Sequence, residues 1–576
     1  MVSIRIIYVQ VLVEMSAFDF RKFSEVLSRT WILGGLFGAV LVFMLLGQYL
    51  IGPPNIHSAR VIVSTVELSV VVLWLLNSPQ AMILQRLRVV YWIFLVWALV
   101  GIVGVFFSAF NWAAALVGQV EWLCHLIAII ALGDFFLNKK MRAEFAFYGV
   151  ALAYFVILIF YSYRWLSMED PRNHNWVWDA QPFLNIRHFA FLALPAFVSG
   201  MFLISAKKGV ERSVGCVLAI TALASLCWAG GRASVGAAFV IALLTVVYLR
   251  RVQGVSFQRL FLMFSIGLAA ALFIADIFAV NHPSMGLSFN HGKESVDSID
   301  QLSSGRISVW ASVFHDMSLT QWIMGHGVDN YRFLPGRSDI TVHPHSWFVQ
   351  SASAWGVPLA ILLFFGMGFL IYKLIRVGLF DRKGVKQVDL YYVGLMLLSF
   401  MVLGLVDGNF YHSWAVFIGV IFVALGLIFL IECTGSDNKG VSSKLASQWL
   451  YGSAFLIVIT LLQWINVTTV FNSRVPESGD WRVSVVFSMP YNSITLERWF
   501  EDWRQRDPNA MFQLLRWLQK YSETGYLYML VESEILAGAG YIDESNAMYE
   551  KAISVAPKAA QLQIVEKGSP VEWLKK

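Results

Sequence analysis

The chain has 576 residues, of which 58% are hydrophobic and 14% are charged. Soluble globular proteins carry about 25% charged residues, so this composition excludes a cytosolic enzyme and an intrinsically disordered protein. The net charge of +6 is weak evidence for nucleic-acid binding, and the four cysteines indicate neither a disulfide framework nor a CxxC metal site.

The N-terminal segment from Met1 to Met15 is a mostly apolar stretch that contains Arg5. It lacks a small-residue cleavage site before a polar mature sequence, so a signal peptide is not predicted. Two interpretations stay open: an interfacial helix, or translation that begins at Met15. Residues 1–29 are predicted to form a cytoplasmic N-terminal arm.

The apolar segments predict an all-α polytopic membrane protein with about 12–13 transmembrane helices, because a spanning helix needs about 20 mostly apolar residues. Helices 1–9 fall within residues 30–280 and helices 10–13 within residues 355–471. The segments 61–76 and 235–249 are the shortest. The thirteen candidates are 30–50, 61–76, 89–107, 112–132, 145–163, 189–206, 214–230, 235–249, 260–280, 355–375, 389–408, 412–432 and 448–471.

The loop charges predict the orientation of these helices, because cytoplasmic loops carry an excess of Lys and Arg. With the N-terminus in the cytoplasm, the arm and the loops on that side hold 22 of the 43 Lys and Arg residues. The longer loops opposite hold nine. Ten of the eleven histidines also fall in or beside the opposite segments, which indicates a functional outer face.

Two segments are predicted to lie outside the membrane on that outer face: the loop 281–354 and the tail 472–576. Within the tail, residues 531–556 read as a helix, a glycine turn and a second helix that Pro557 ends. This pattern resembles one tetratricopeptide unit, which cannot bury its own apolar face. Helices predicted at about 495–528 would supply the neighbour.

Two arginines on the outer face are candidates for binding an anion. Arg232 lies in a glycine turn between two spans, where guanidinium binds phosphate bidentately or extends to lipid headgroups. Arg306 lies in the first turn of an amphipathic helix, after a serine cap at Ser303 and Ser304. Free backbone N–H groups there favour an anion, so a ligand phosphate and a solvated arginine both fit the spacing.

Two histidines, His343 and His345, flank Pro344 just before a spanning helix. A histidine with a pKa near neutrality can accept a proton from an attacking hydroxyl. The alternative is a structural loop histidine. A zinc site needs further ligands and no third histidine lies near in sequence, so a zinc site is disfavoured and no metal or cofactor is predicted.

Further polar residues at the outer ends of two spans are secondary candidates. Gln181 and Arg187 lie near the end of the loop 164–188. Asp407 closes a span and is followed by Tyr411. An acid near arginine and histidine is suited to orient the histidine, although a helix-to-turn cap fits equally.

Taken together, these segments resemble the O-antigen ligase family of bacterial inner-membrane glycosyltransferases, which includes protein O-oligosaccharyltransferases and is related to O-antigen polymerases. The resemblance follows the order of the chain over about residues 180–430. Its most specific motif is a His, then Asn, Ser or Gln, nine residues and Gly. Its elements here are Gly231-Arg232-Ala233-Ser234, Gly305-Arg306 with Trp310, Ile323-Met324-Gly325-His326-Gly327, and His345-Ser346 through Gly356.

The sequence departs from the family pattern at two positions. Relatives often carry Glu two residues before the motif glycine, where this chain has Ala354. A second glycine often follows three residues after the first, where this chain has Leu359. If that Glu helps orient the histidine in relatives, another group must do so here.

The resemblance implies a metal-independent, inverting glycosyl transfer at the periplasmic face of the bacterial inner membrane. The donor would be a glycan on undecaprenyl pyrophosphate. By carry-over, Arg232 and Arg306 would hold the pyrophosphate and His345 would activate the acceptor hydroxyl. Two guanidiniums suit the charge that grows on the leaving group, and a neutral hydroxyl needs a base.

The acceptor stays open between three substrates. A ligase would use a sugar hydroxyl of lipid A–core, a protein glycosylase would use Ser or Thr of a pilin-like protein, and a polymerase would use another lipid-linked repeat. The thirteenth span and its outer helical tail favour the protein-modifying branch.

Two other classes of protein are also compatible with a many-span chain. A transporter or flippase would carry charges inside several spans and inverted-repeat symmetry. The spans show almost no charge apart from Glu67 and Glu121, and no repeat. A scaffold that recruits partners through the tail is the third class.

Overall fold

The computed structural model describes the chain in segments. These are residues 20–47, 56–76, 82–109, 112–139, 142–177, 179–183, 185–281, 305–315, 317–331, 334, 343–380, 387–434, 448, 452–461, 515–516, 519, 525–556, 561 and 564–565. Across these segments the secondary structure is helical, with no strand and one isolated bridge between Ala180 and Phe183.

The helices are numbered here in chain order. They are α1 (Phe20–Leu46), α2 (Ile56–Leu76), α3 (Met82–Arg86), α4 (Arg88–Phe107), α5 (Trp112–Lys139), α6 (Glu144–Ser167), α7 (Ile186–Ala206), α8 (Gly209–Ala229), α9 (Arg232–Gln253), α10 (Phe257–Ile277), α11 (Arg306–His315), α12 (Leu319–Met324), α13 (Trp347–Trp355), α14 (Val357–Phe380), α15 (Gln387–Val406), α16 (Ser413–Thr434), α17 (Gly525–Gly538) and α18 (Ile542–Val555). A 3-10 turn, Asn409–Tyr411, joins α15 to α16, and a short apolar helix spans Gly452–Leu461.

Eleven of these helices are long and apolar enough to cross a membrane, which confirms an all-α polytopic membrane protein. Two further apolar stretches, Thr30–Leu46 and Gly452–Leu461, are shorter. Every predicted span coincides with a helix, although part of 448–471 lies outside the described residues. The two shortest predicted spans become helices of 21 and 22 residues, because polar residues extend α2 and α9 past their apolar parts.

The helix α1 begins at Phe20, before the predicted start of the first span. Its apolar stretch begins at Thr30, and residues 20–29 continue the same helix into the segment predicted as the N-terminal arm. Hydropathy locates only the apolar part of a helix, whereas the backbone hydrogen bonds continue into polar sequence.

The centre of the bundle is α7, in which nearly all side chains are buried. It packs closely on α8 because Gly200 and Gly215 face each other there: a Cβ at either position would overlap the other helix. Small residues permit this approach of two helix backbones inside a membrane. The result is a tightly packed helix pair within the bundle.

Charged side chains inside the spans occur as partnered groups. Nδ1 of His125 lies 2.7 Å from Oε1 of Glu67, both fully enclosed between α2 and α5. Nε1 of Trp74 donates to Asp134 over 2.8 Å. Such pairing reduces the cost of placing charge in a low-dielectric interior.

The short helices α11, α12 and α13 pack together at one end of the bundle, which we call the loop face. The end of α15 and the beginning of α9 also reach this face. The predicted loop 281–354 is described here only in part.

The C-terminal tail contains a helical hairpin made of α17 and α18. Gly540 turns the chain with a φ of 87°, and the hydroxyls of Ser533 and Ser545 lie 3.0 Å apart across the interface. The predicted helix–turn–helix is therefore present, with a first helix that begins earlier, at Gly525. The neighbouring helices predicted at 495–528 lie almost entirely outside the described residues.

Candidate active site at the loop face

The backbone around His345 holds this residue in an uncommon conformation. His345 has a φ of 51°, in the left-handed region that residues with a side chain seldom occupy. Its backbone N–H donates to Nδ1 of His343 over 3.2 Å. Ser346 then caps α13, its hydroxyl accepting the N–H of Val349. The small polar residue after the motif histidine thus serves to begin the helix that presents it.

Close packing explains why a glycine ends the family motif. Gly356 has a φ of 86°, and a Cβ there would overlap the carbonyl oxygen of Ile323 at the end of α12. Gly325, with a φ of 77°, lies equally close to the backbone of Ser353 and Ala354. The two glycines let the ends of α12 and α13 cross, which fixes α13 on the loop face.

We expect Gly356→Ala to destabilise the protein by at least about 2 kcal/mol, because backbone strain and overpacking each cost about 1–3 kcal/mol. The measurement is the thermal unfolding midpoint in detergent. Gly366→Ala in α14 is the matched control, since a Cβ there meets nothing within 4 Å. Equal unfolding midpoints for the two variants would contradict the close crossing of α12 and α13.

The ring of His345 faces a carboxylate at the end of α15. Nδ1 of His345 lies 3.8 Å from Oδ1 of Asp407, within ion-pair range and longer than a hydrogen bond. Burial raises the pKa of Asp407, but His345, the Arg306 guanidinium and the Gly408 backbone N–H outweigh it and hold the pKa at about 2. Asp407 is therefore ionised at neutral pH and is the group that faces His345 in this chain.

Three arginines gather beside this pair. Burial lowers the pKa of Arg306, Asp407 opposes that effect, and the charges of Arg187 and Arg232 add to it. Three different helices supply these arginines: Arg187 lies in the first turn of α7, Arg232 begins α9 and Arg306 begins α11. Three positive charges around one carboxylate favour a further bound anion, and guanidinium binds phosphate bidentately.

The helix α11, which carries Arg306, is fixed to the segment His343–His345, which we call the histidine loop. Nε1 of Trp310 donates to the carbonyl of Pro344 over 2.8 Å. The predicted apolar stripe of α11 packs as expected, with Val309 and Val313 buried against Val349 of α13. The predicted cap at Ser303 and Ser304 lies outside the described residues.

We expect Trp310→Phe to lower the transfer rate about tenfold and the stability by about 1 kcal/mol, because one buried hydrogen bond is lost and Arg306 is less well held. The measurement is the initial rate per folded molecule. Trp322→Phe is the control: Trp322 is exposed and stacks on Phe314, 5.6 Å between ring centroids. Unchanged activity in Trp310→Phe would exclude this anchoring role.

Neutral histidines surround the pair. Burial lowers the pKa of His343 well below its ordinary value, and the nearby charge of His345 lowers it further. Burial likewise lowers the pKa of His412, whose ring lies 4.1 Å from the ring of His188 between centroids. Nδ1 of His188 and Nε2 of His412 have no hydrogen-bond partner in the described part of the chain. These rings provide donors or acceptors beside His345.

The structure brings most of the sequence candidates together. His345, His343, Arg232, Arg306, Arg187 and Asp407 all lie within electrostatic reach of one another. Tyr411 is buried against the ring of His343, 4.6 Å between centroids. Gln181 is exposed, and its described contact is a backbone carbonyl that accepts from Arg164.

His326, which belongs to the family motif, makes contacts that hold the fold together. Its backbone N–H donates to the carbonyl of Ser353, and its Nε2 lies 3.3 Å from the carbonyl of Val313. Two groups that the sequence did not single out, Arg60 and Asp329, form a buried ion pair under the histidine loop. The sequence signal for Arg60 is a charge at the end of an otherwise apolar span.

An apolar groove of about 750 Å³ opens beneath this cluster. At one end it reaches Trp347, Trp355 and Phe410, next to the histidine loop. It continues between α4, α5, α14 and α16 to Arg86, Arg88 and Cys433 at the opposite end of the bundle. Its length and lining suit a long hydrocarbon chain.

The fold is that of a multi-pass membrane protein. Residues 217–364 match the family described as O-Antigen ligase, and this segment contains Arg232, Arg306 and His345. The match supports assignment of the chain to the O-antigen ligase family. No curated protein matches the chain.

Proposed function

We propose that this protein transfers a glycan from undecaprenyl pyrophosphate to an acceptor hydroxyl at the periplasmic face of the bacterial inner membrane. The observation that carries the proposal is the His345–Asp407 pair beside Arg187, Arg232 and Arg306. A base and a cluster of cations are the two groups that this reaction needs, since the nucleophile is neutral and the leaving group is an anion.

In this mechanism His345 takes the proton of the acceptor hydroxyl. Nδ1 of His345 faces Asp407, so Nε2 is the nitrogen free to accept the proton, and the carboxylate stabilises the imidazolium. The acceptor oxygen bonds to the anomeric carbon as the bond from that carbon to the pyrophosphate oxygen breaks. Attack opposite the leaving group inverts the anomeric centre.

The three arginines stabilise the departing pyrophosphate. Negative charge grows on its oxygens as the glycosidic bond breaks, and preorganised cations in a partly buried site stabilise that charge strongly. The guanidiniums supply this charge without a metal ion. His345 then loses its proton to water, which restores the base.

The apolar groove would hold the polyprenyl tail of the donor. Its upper end lies beside the histidine loop, so a tail in the groove places the pyrophosphate next to the arginines. Binding energy from this remote hydrocarbon can then position the reacting carbon. The proposal places the N-terminus in the cytoplasm and the loop face in the periplasm.

We favour Ser or Thr of a pilin-like protein as the acceptor. The helical hairpin of α17 and α18 follows the last span and, in the proposed orientation, lies on the acceptor side. The alternatives are lipid A–core, for a ligase, and a second lipid-linked repeat, for a polymerase. A deletion strain scored for both the lipopolysaccharide ladder and the pilin mass separates them, because loss of only one product identifies the acceptor.

The buried charges support a transporter less well than they support a transferase. In the described spans, the charge pairs Glu67–His125 and Glu121–Arg60 both join α2 to α5. A transport route would need charged groups lining a path through several spans. Glycan that crosses the membrane without becoming attached to an acceptor would favour transport.

A further inference from the structure

Arg60 is a buried cation that holds four elements of the protein together. From the start of α2 it contacts both carboxylate oxygens of Asp329, with Nη2 at 3.0 Å from Oδ1. Its Nε lies 3.4 Å from Oε2 of Glu121 in α5. Its guanidinium carbon lies 4.7 Å from the ring centroid of Tyr411 in the 3-10 turn. One planar group thus joins two spans, the loop after α12 and the turn after α15.

The contacts continue from Arg60 to the candidate base. The ring of Tyr411 lies 4.6 Å from that of His343, and the ring of His343 lies 4.3 Å from that of His345. Nδ1 of His343 accepts the backbone N–H of His345. His343 also packs tightly against Gly408, next to Asp407, since a Cβ on Gly408 would overlap its ring.

We infer that Arg60 is a positioning residue for catalysis, which fixes His345 and Asp407 relative to each other through Tyr411 and His343. The inference rests on the proposed role of His345 as the base. The left-handed backbone of His345 is a conformation that persists only where its surroundings hold it, and this chain of rings supplies that support. A displacement of about 1 Å in such a pair can cost about 10²-fold in rate.

Arg60 differs from the three arginines proposed to bind the donor. Its guanidinium is already engaged by two carboxylates and one aromatic ring, and its side chain is 8% exposed. Arg232, in contrast, is exposed at the loop face. The bidentate and stacked contacts of Arg60 require a planar guanidinium, so lysine is not equivalent there.

The charge of Arg60 also acts on His343. Burial and the charge of His345 lower the pKa of His343, Asp407 opposes them, and His188 and Arg60 lower it further. The rings of Tyr411 and His412 complete the surroundings of His343. His343 must be neutral for its Nδ1 to accept the N–H of His345. Removal of the Arg60 charge raises the pKa of His343, so the part of the acid limb of the pH–rate profile that protonation of His343 causes should move to higher pH.

The test compares Arg60→Lys and Arg60→Gln in the full-length protein purified in detergent, with rates expressed per folded molecule. Arg60→Lys keeps the charge, so we expect a rate loss of about 10²-fold, an unchanged donor KM and an unmoved acid limb. Arg60→Gln is expected to lose at least as much rate, with the acid limb moved to higher pH.

Trp74→Phe is the matched control, because it removes the buried hydrogen bond to Asp134 between the same two helices, 14 residues further along α2 from Arg60. We expect it to lower stability and the yield of folded protein, with the rate per folded molecule and the acid limb unchanged. Arg60 variants that behave in the same way would overturn the inference.

His345→Ala separates this inference from the proposed function. If His345→Ala retains full transfer, the base assignment fails whatever the Arg60 variants do. If His345→Ala abolishes transfer while both Arg60 variants retain the wild-type rate and pH profile, the positioning role alone is wrong.

Discussion

Replacement of His345 by alanine is expected to lower the rate of glycan transfer by about 10²–10⁴-fold, the range that a general base contributes. The acceptor hydroxyl then has no group to take its proton. Donor binding should be nearly unchanged, because the arginines and the apolar groove remain. The initial rate of transfer and the donor KM, measured with purified protein and a lipid-linked glycan, test both expectations.

The matched control for this variant is His315→Ala. His315 is exposed at the end of α11, on the same loop face, but it is outside the proposed machinery. We expect this variant to transfer at the wild-type rate. If His345→Ala transferred at the wild-type rate, the catalytic assignment of the histidine loop would be wrong.

Replacement of Arg306 by alanine is expected to lower kcat/KM for the donor by about 10²-fold, the effect of removing one preorganised charge-stabilising group. The charges of Asp407, Arg187 and Arg232 all act on Arg306, so its loss weakens the stabilisation of the leaving group. Arg306→Lys should restore only part of the activity, because an ammonium cannot bind phosphate bidentately.

Arg212→Ala is the control for loss of a positive charge. Arg212 is exposed near the beginning of α8, whereas the opposite end of that helix leads into Arg232. Inhibition by free polyprenyl pyrophosphate provides a second measurement: it should weaken in Arg306→Ala and stay constant in Arg212→Ala. Equal inhibition of all three proteins would show that Arg306 does not contact the pyrophosphate.

Hydropathy predicted the spans well because a lipid-facing helix must be apolar over its whole crossing. The predicted and observed segments differ mainly at their ends, as in α1, where ten polar and apolar residues precede Thr30 within the helix. Helical hydrogen bonding does not stop where the hydrophobic stretch stops, so composition cannot give the terminal residues.

The principal site candidates were also accessible from sequence, because each lies in a short local pattern. Arg232 and Arg306 follow glycine, and His345 begins a spaced motif that Gly356 ends. The structure adds the physical reason for that spacing, which is the close crossing of α12 and α13 at Gly325 and Gly356.

The buried contacts that hold the site residues in place could not be predicted from the sequence in the same way. Arg60 and Asp329 are 269 residues apart in the chain, and neither lies in a recognisable motif. Ala354 stands in place of the family's usual Glu, and the sequence offered Asp407 as an orienting group with a helix-to-turn cap as the equal alternative. In the fold Asp407, from a different helix, faces His345. Contacts of this kind depend on tertiary packing, which local spacing does not encode.

The central claim is that glycan moves from a polyprenyl-pyrophosphate donor to an acceptor hydroxyl. Its most direct test reconstitutes the purified protein with a lipid-linked glycan and an acceptor, with chelator present and no nucleotide sugar. The mechanism predicts glycosylated acceptor and free polyprenyl pyrophosphate in equal amounts, with the anomeric configuration inverted. Lipid-linked glycan that is consumed without glycosylated acceptor, or transfer that requires a nucleotide sugar, would contradict it.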